Sequence, residues 1–377
     1  MKLELHNVSR SVGGEDYLYP LDLALSSGLN VLLGPTLAGK TSLMRLLAGL
    51  DKPTSGRVLL DGKDVTGVPV RGRSVAFVYQ QFINYPSLSV FENIASPLRV
   101  RGGLSRAEVK ERVEGVAATM RITPLLNRLP AELSGGQQQR TAIARALVKE
   151  ADVLLLDEPL VNLDYKLREE LRDELRGLFQ TRSAVVVYAT TEPYEALLLG
   201  GHVCVLDQGR VLQSGPTLGV YHRPASRRVG EVFSDPPMNL LGGEVEGGNL
   251  RLESGPHFPL PRHMQGLPPG SYDLGLRATH AGLEAKGGSV AVPATVELAE
   301  ISGSETFVHM DISGDISGGA GEGTAHVVAQ LGGVRSFGVG ERVTLHLEPE
   351  RLFAFDRAGT LQAAPERTPS SHPGVSA

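Results

Sequence analysis

The stretch "GPTLAGKTS", residues 34 to 42, decides the fold. It satisfies the pattern G-x-x-x-x-G-K-[ST], follows the apolar "LNVLL" and precedes the helical pattern "SLMRLLAGL". At such a strand-to-helix turn, glycines let backbone N–H groups curl around a phosphate, while the lysine supplies a cation. An ordinary turn is the alternative, which this context disfavours. The predicted phosphate-binding loop consists of Gly34, Pro35, Thr36, Leu37, Ala38, Gly39, Lys40, Thr41 and Ser42.

A second motif places two carboxylates at the end of a strand. "VLLLDEP", residues 153 to 159, is an apolar run that exposes Asp157 and Glu158 at its carboxyl end. Open α/β sheets bind ligands at that edge. An isolated Asp-Glu pair at a strand end is common and need not have a function, but a pair next to a phosphate loop can take part in nucleotide chemistry. We expect Thr41 and Asp157 to hold Mg²⁺ and Glu158 to polarise an attacking water.

A third motif opens a helix. "LSGGQQQR", residues 133 to 140, follows Pro130 and begins the helical pattern "QQQRTAIARALVKE". Backbone amides at a helix start carry partial positive charge and favour an anion. A capped helix with no ligand is the alternative. The predicted anion site consists of Ser134, Gly135, Gly136 and Gln137.

In the chain the third motif lies between the other two, and in that order the three resemble the motifs of ABC ATPases. The resemblance covers residues 3 to about 240. Gln80 in "VYQQF" resembles the Q-loop glutamine, which reaches Mg²⁺ and links the site to a membrane partner. Asp164 in "LVNLD" resembles the D-loop. In this family two domains face each other, and each nucleotide lies between one chain's phosphate loop and the other chain's LSGGQ. The resemblance therefore implies ATP and Mg²⁺ as cofactors and a dimer as the working unit.

The stretch "VVVYATTEP", residues 185 to 193, departs from the family pattern. Most members carry a histidine where alignment on Glu195 and Ala196 places Thr191. A threonine hydroxyl is shorter than an imidazole and neutral, and losing one preorganised donor costs roughly 100- to 1,000-fold in rate. Our hypothesis is that the chain binds ATP but hydrolyses it slowly at its own loop. Its LSGGQ would complete a faster site on a non-identical ATPase partner.

The aromatic residue that stacks on adenine in this family is also displaced. Alignment from "NVS" puts Val12 at that position, and Tyr17 or Tyr19 are possible substitutes. Simple packing is an equal alternative for either tyrosine. We retain Tyr17 as the nucleotide-binding candidate.

The sequence pattern changes after "SDPPMNLLGG", residues 234 to 243, a Pro/Gly-rich boundary. Beyond it, short stretches of alternating apolar and polar residues separated by glycine-rich turns predict a small β-barrel. "GLRATH", "GSETFVHMDI" and "VGERVTLHLEPERLFAFD" resemble the regulatory OB-type domain of carbohydrate-importer ATPases. The expected fold is an α/β P-loop NTPase followed by an all-β OB-type barrel domain. The nucleotide-binding domain is expected at 1–235, its helical subdomain at about 84–150, the barrel at 240–360 and a disordered tail at 361–377.

Composition narrows the choice of partners and compartment. A net charge of −5 and a pI near 6.1 give no basic footprint for nucleic acid. The single cysteine, Cys204, fits a reducing compartment. No run approaches the roughly 18 to 20 apolar residues of a spanning helix, and "MKLELHNVSR" lacks the apolar core of a signal peptide. We expect a peripheral protein at the cytoplasmic face of the bacterial inner membrane.

Three stretches resemble an ATPase of a bacterial glycerol importer that uses two different ATPase subunits: "GPTLAGKTSLMRLLAGL", "YQQFINYPSLSVFENIASPLRV" and "YATTEPYEALLLGGH". The resemblance implies permease subunits, a second ATPase chain and, indirectly, a solute-binding protein. "FINYPSLSVF", residues 82 to 91, is the expected docking surface, with a buried loop as the alternative. Glycerol phosphate, another polyol or a sugar remain open as solutes. A non-hydrolysing regulatory subunit also remains open, whereas an ABC ATPase acting on DNA or ribosomes is disfavoured.

Overall fold

The structure is a computed structural model that describes residues 1–161, 163–180, 183–312 and 326–366. The chain divides into two compact units, Met1–Thr217 and Leu218–Ala377. The predicted boundary between 235 and 240 was therefore too late. The segment just before it belongs to the second unit because Arg277 there donates hydrogen bonds to the carbonyls of Tyr221 and Phe233, at 2.7 and 2.9 Å.

The first unit combines ten strands and six helices among its described residues. Its strands are β1 Lys2–Val12, β2 Glu15–Ser26, β3 Gly28–Leu33, β4 Ser55–Leu60, β5 Lys63–Asp64, β6 Val75–Val78, β7 Val153–Asp157, β8 Val185–Thr190, β9 His202–Asp207 and β10 Arg210–Pro216. Its helices are α1 Lys40–Ala48, α2 Val90–Arg101, α3 Arg106–Thr119, α4 Gly135–Leu147, α5 Tyr165–Gln180 and α6 Pro193–Leu199.

The central sheet has the order β10-β9-β3-β8-β7-β6. All its pairs are parallel except β9 with β10. Every residue of β7 and β8 is buried, as expected for strands covered on both faces. This confirms the predicted α/β fold class. The carboxyl ends of β3, β7 and β8 lie at one edge of this sheet, where the phosphate loop, Asp157 and Thr190 follow them.

A second sheet, with the order β2-β1-β4-β5, is antiparallel. Our sequence analysis did not predict it. The register of β1 against β2 shifts between Leu5 and Val8 and again between Val8 and Arg10. Such bulges break the period-two alternation by which a half-buried strand is recognised.

Three helices, α2 to α4, fall within the predicted helical subdomain. Ser105 caps the start of α3, since Glu108 N donates to Ser105 Oγ at 3.3 Å and Ser105 N donates to Glu108 Oε2 at 2.7 Å. Helix α5 buries Leu171, Leu175 and Phe179 completely. Among the described residues, no helix is both long and apolar enough to cross a bilayer.

The second unit is all-β apart from short helices at its start, and it is the predicted OB-type domain. Two antiparallel sheets, β13-β12-β11-β14-β20-β21 and β15-β19-β16-β17-β18, surround one apolar core. The buried side chain of Asn239 joins them, donating to Val328 O at 2.9 Å and accepting from Val328 N at 2.8 Å. The elements are α7 Thr217–His222, α8 Arg227–Val232, β11 Asn239–Glu246, β12 Asn249–Leu252, β13 His257–Pro259, β14 Gly270–Leu276, β15 Ala281–Gly282, β16 Val290–Ser302, β17 Glu305–Asp311, β18 His326–Gly332, β19 Arg342–Leu347, β20 Phe353–Phe355 and β21 Leu361–Ala363.

The predicted disordered tail began too early. Leu361–Ala363 pairs with Phe353–Phe355 as the last strand of its sheet, and Ala363 and Ala364 are buried. Small apolar side chains suffice there because an edge strand buries only one face. The rest of that tail, 367–377, lies outside the described residues.

Candidate nucleotide site

A cavity of about 540 Å³ opens at the carboxyl edge of the parallel sheet. The phosphate loop forms its floor, and residues from β2, from the segment after β6 and from the β9–β10 turn form its walls. The predicted site residues on its lining are Tyr17, Thr36, Leu37, Ala38, Gly39, Lys40, Thr41, Ser42, Gln80 and Glu158. The fold thus brings together residues that are far apart in sequence.

Lys40 is buried at the centre of this cavity, with 5% of its surface exposed. Its Nζ donates to Gly34 O at 2.8 Å and Pro35 O at 3.0 Å, and lies 3.5 Å from Glu158 Oε1. Burial lowers the pKa of Lys40, although the charge of Glu158 opposes that shift. A buried ammonium held by neutral carbonyls is positioned to exchange them for anionic oxygens.

The backbone of the loop requires unusual conformations at two positions. Gly39 has φ of 99°, and a Cβ there would lie 2.9 Å from Leu18 Cδ2 and 3.2 Å from Tyr17 O. Leu37 has φ of 68° with its side chain 93% exposed. The left-handed conformation is costly for leucine, so the loop carries local strain beside the cavity.

Asp157 and Thr41 form the part of the site suited to a hard cation. Thr41 Oγ1 donates to Asp157 Oδ2 at 2.8 Å, and Asp157 is only 3% exposed. Burial raises the pKa of Asp157, which marks a carboxylate without sufficient counter-charge. Within the described ranges no group of three or more His, Cys, Asp or Glu side chains forms a metal site by itself. A carboxylate, a hydroxyl and open positions fit Mg²⁺, which keeps water and substrate phosphates as its other ligands.

Glu158 lies between the amide of Gln80 and the ammonium of Lys40. Gln80 Nε2 donates to Glu158 Oε2 at 3.0 Å, and Lys40 Nζ is near the other carboxylate oxygen. Its φ of 45° is uncommon for a residue with a Cβ. Sparsely populated backbone conformations concentrate at functional sites because the surrounding structure must hold them. The conformation here directs the carboxylate into the cavity.

The two threonines after β8 have different environments. Thr190 is buried, and its hydroxyl donates to Glu195, whose pKa is raised by burial. Thr191 is half-buried and lines a small cavity of about 10 Å³ together with Glu158 and Arg168. Thr191 therefore stands beside the candidate catalytic carboxylate, where the alignment expected a histidine. The cavity volume is close to the minimum for one water.

Tyr17 and Tyr19, the two tyrosines near the N-terminus, have different surroundings. Tyr17 lines the cavity with 45% of its surface exposed, so its ring is free to stack. Tyr19 also lines it, but the guanidinium of Arg210 lies 3.5 Å from its ring centroid. Val12 is 49% exposed and is not among the lining residues.

Sequence reasoning missed three lining residues, Asp16, Gln208 and Gly209. Asp16 lies on β2 and the other two lie in the turn between β9 and β10, so none belongs to a phosphate motif. No sequence motif marks Gly209, and only the structure shows that the position requires glycine, since its φ is 74° and a Cβ would lie 2.7 Å from Tyr17 O.

The predicted signature residues lie outside this cavity. Ser134 caps α4, because Gln137 N donates to Ser134 Oγ at 3.4 Å and Ser134 N donates to Gln137 Oε1 at 3.1 Å. Gly136 packs closely, and a Cβ there would lie 2.8 Å from Leu163 Cδ2. None of Ser134, Gly135, Gly136 and Gln137 lines the cavity that holds Lys40.

A second cavity, of about 570 Å³, lies between the parallel sheet and the helical subdomain. We call it the docking groove. It is lined by Leu50, Val70, Val75, Ala76, Phe77, Tyr79, Tyr85, Leu88, Ser96, Pro97, Val100, Ala142, Arg145, Ala146 and Lys149. Tyr85 and Leu88 come from the predicted docking stretch. Tyr85 is 48% and Val100 89% exposed, so apolar surface is open to a partner.

Comparison with known proteins supports this picture. The model of the family described as "ABC transporter" matches residues 19–161. The chain is 40% identical over 313 residues to the sn-glycerol-3-phosphate import ATP-binding protein UgpC of Salmonella typhi, covering 81% of this chain and 87% of that protein. It is 36% identical over 360 residues to a UgpC protein of Agrobacterium fabrum, covering 95% and 93%.

A solved structure is similar as well. The dimeric post-hydrolysis state of the ATP-binding cassette MJ0796, bound to ADP and phosphate, superposes with a TM-score of 0.52 at 30% sequence identity. The match covers 57% of this chain and 98% of that one.

Proposed function

Because the chain belongs to the ABC transporter family and is an ATPase subunit of the carbohydrate-importer type, we propose that it energises import of glycerol, a related polyol or its phosphate. It works as a dimer with a second, non-identical ATPase chain at the cytoplasmic face of the bacterial inner membrane. The observation that carries this proposal is the convergence of Lys40, Thr41, Gln80 and Glu158 on one cavity, with Asp157 hydrogen-bonded to Thr41.

Each residue has a role in binding ATP. The amides of the loop from Gly34 to Ser42 surround the phosphates, while Lys40 gives up its bonds to Gly34 O and Pro35 O in favour of phosphate oxygens. Tyr17 offers a ring to the adenine. Thr41, Asp157 and Gln80 would hold Mg²⁺, which supplies positive charge against the phosphates.

Glu158 is the residue we assign to polarising the attacking water. Gln80 and Lys40 hold its two oxygens, so the carboxylate is oriented before the nucleotide arrives. Thr191 lies beside it with a hydroxyl in place of an imidazole. We infer that nucleotide binding is intact at this site while turnover is slow, because one long preorganised donor is missing.

The signature residues serve the partner's nucleotide. Ser134 and the amides of Gly135 and Gly136 lie outside this chain's own cavity, so a second chain is needed to bring a helix start over each phosphate loop. The dimeric cassette with ADP and phosphate supports this arrangement. The intact capping box of α4 keeps this helix start ordered, which supports the proposal that this chain completes the faster site of its partner.

The docking groove is where we place contact with the permease. Its lining combines apolar side chains with Arg145, whose guanidinium lies 4.9 Å from the ring centroid of Tyr85. A short amphipathic helix would bury its apolar face there. Tyr79 lines the docking groove, and the next residue, Gln80, lines the nucleotide cavity. A movement of Gln80 at the nucleotide therefore reaches the groove through the adjacent residue. The solute-binding protein is an indirect partner that delivers the solute to the permease.

The transporter reconstituted in liposomes with its permease, binding protein and second ATPase tests the assignment. We expect ATP hydrolysis to rise when glycerol or sn-glycerol 3-phosphate is supplied inside with the binding protein, and the two solutes are measured separately. Stimulation by neither polyol would overturn the solute class. Loss of ATP affinity in Lys40→Ala is expected, and unchanged affinity would overturn the nucleotide site.

The asymmetry needs its own experiment. Glu158→Gln in this chain should lower turnover less than the matching substitution in the partner ATPase. Equal losses would contradict a slow site here. A non-hydrolysing regulatory role is the second candidate, favoured by Thr191, and it predicts no loss at all from Glu158→Gln.

A further inference from the structure

Four titratable side chains form a chain of contacts on the outer face of the β16-β17-β18 sheet in the second unit. His309 Nδ1 lies 3.3 Å from His326 Nε2. The other ring nitrogen of His326, Nδ1, lies 2.8 Å from Glu297 Oε2, and the other nitrogen of His309, Nε2, lies 3.6 Å from Glu300 Oε2. The order is carboxylate, imidazole, imidazole, carboxylate. The nucleotide site uses none of these residues.

The sheet register places the two imidazoles together. His309 pairs with Val328, and His326 pairs with Asp311, so the two histidines are diagonal neighbours on the outer face. The alternate residues of these strands, among them Val308, Met310 and Val327, are fully buried. A register shift between Val296 and Leu298 marks a bulge at Glu297. Bulges re-aim side chains, and this one directs Glu297 to His326.

The contacts decide where the imidazole protons lie. A carboxylate only accepts hydrogen bonds, so the bond to Glu297 requires a proton on Nδ1 of His326 and leaves a lone pair on its Nε2. Glu300 Oε2, at 3.6 Å, is too far for a hydrogen bond, but its negative charge favours the proton on Nε2 of His309, and that tautomer leaves a lone pair on Nδ1. Two lone pairs then face each other across 3.3 Å. With these tautomers the two lone pairs repel each other, and a proton or a metal ion between them removes the repulsion.

The separation suits a metal ion. With zinc–nitrogen bonds of about 2.0–2.1 Å and tetrahedral angles, two ligating nitrogens lie roughly 3.3–3.4 Å apart. Histidines that bind metals usually donate their other ring N–H to a carboxylate, which fixes the tautomer. Glu297, Glu300 and Asp311 also make the surroundings acidic, which favours a cation.

We propose that Nδ1 of His309 and Nε2 of His326 bind a divalent transition-metal ion of the Zn²⁺ class, with Glu297 and Glu300 orienting the rings. Among residues that the structure describes, no third side chain completes a metal cluster. Water therefore fills the remaining positions, and the site is exposed and exchangeable. His309 is 24% and His326 47% exposed, so the ion has open access from solvent.

Calorimetric titration of ZnCl₂ into the untagged, nucleotide-free full chain tests the proposal. We expect one binding event whose affinity falls at least about 10-fold in His309→Ala and in His326→Ala. Glu297→Gln keeps the side-chain volume and is expected to weaken binding about 10-fold, the usual effect of losing such a carboxylate. His257→Ala is the matched control, because His257 is an exposed histidine on another sheet of the same unit.

Electron paramagnetic resonance with Cu²⁺ gives a second readout that a loss of folding would not imitate. The wild-type chain should show coupling to two imidazole nitrogens, and either histidine variant should show coupling to one. Zinc affinity unchanged in both histidine variants would overturn the proposal. It would also fall if the wild type bound no metal and titration by NMR showed a single proton shared between the two rings.

Discussion

Leu37 shows, at the scale of one residue, how the phosphate loop is strained. Its φ of 68° costs a residue with a Cβ about 1–2 kcal/mol, and its side chain is 93% exposed. Leu37→Gly removes that cost, but glycine also makes the unfolded chain more flexible, which lowers the free energy of unfolding by about 0.4–1 kcal/mol. We expect a net gain of about 0.5–1 kcal/mol in the free energy of unfolding, measured with urea. Leu37→Ala keeps the Cβ and should show no gain; equal gains would contradict the role of the backbone.

Thr191 is the residue on which the rate of hydrolysis depends in our proposal. Thr191→His places an imidazole beside Glu158 and should raise turnover at this site at least about 10-fold, because a donor of this type is worth roughly 100- to 1,000-fold. The affinity for ATP should stay the same. The measurement is the ATPase rate of the heteromer in which the partner's own site is inactivated. Thr191→Val is the control, and a rate for Thr191→His no higher than that of the wild type would contradict the hypothesis.

At the scale of elements, two helices with the same cap allow a matched experiment. Ser105 starts α3 and Ser134 starts α4, each through a reciprocal pair of bonds with the residue three positions later. Either serine-to-alanine change should lower stability by about 1 kcal/mol. Only Ser134→Ala should also lower ATP hydrolysis by the assembled transporter. Equal activity losses in the two variants would indicate a purely structural role for Ser134.

The link between β8 and α6 should respond to pH. Glu195 accepts hydrogen bonds from Tyr188 and Thr190, and burial raises its pKa above the usual 4.5. The stability that it contributes is complete below the pKa of the unfolded chain and is lost as pH rises through the raised pKa of the folded chain. Glu195→Gln cannot ionise. We therefore expect the wild type to lose stability relative to Glu195→Gln as the pH rises above the usual pKa of 4.5, measured by urea unfolding; a constant difference would contradict the raised pKa.

The elements also show what sequence can predict. The buried parallel strands were predicted because each is apolar throughout, and Asp157 and Glu158 were placed at their edge by the same rule. Strand β1 was missed because bulges break its alternation. Asp16, on β2, and Gln208, in the β9–β10 turn, were missed because they belong to no motif, and only the tertiary fold brings them to Lys40.

At the scale of the whole molecule, transport requires that the chain hold the permease while it closes on ATP. Val100, on the rim of the docking groove, is 89% exposed and apolar. Val100→Glu puts a charge at a position that an apolar partner surface would cover. Binding of the partner would then remove water from an unpaired ion, which is energetically costly.

We expect Val100→Glu to reduce co-purification of the permease at least about 10-fold while leaving ATP affinity unchanged, because Val100 does not line the nucleotide cavity. Ile301→Glu is the matched control: Ile301 is also apolar, is 53% exposed and lies on β16 of the second unit. Permease recovery and ATP affinity are measured on the same preparations. Equal recovery with Val100→Glu and the wild type would place the permease elsewhere, whereas a loss shared by both variants would mean that added surface charge alone disrupts the assembly.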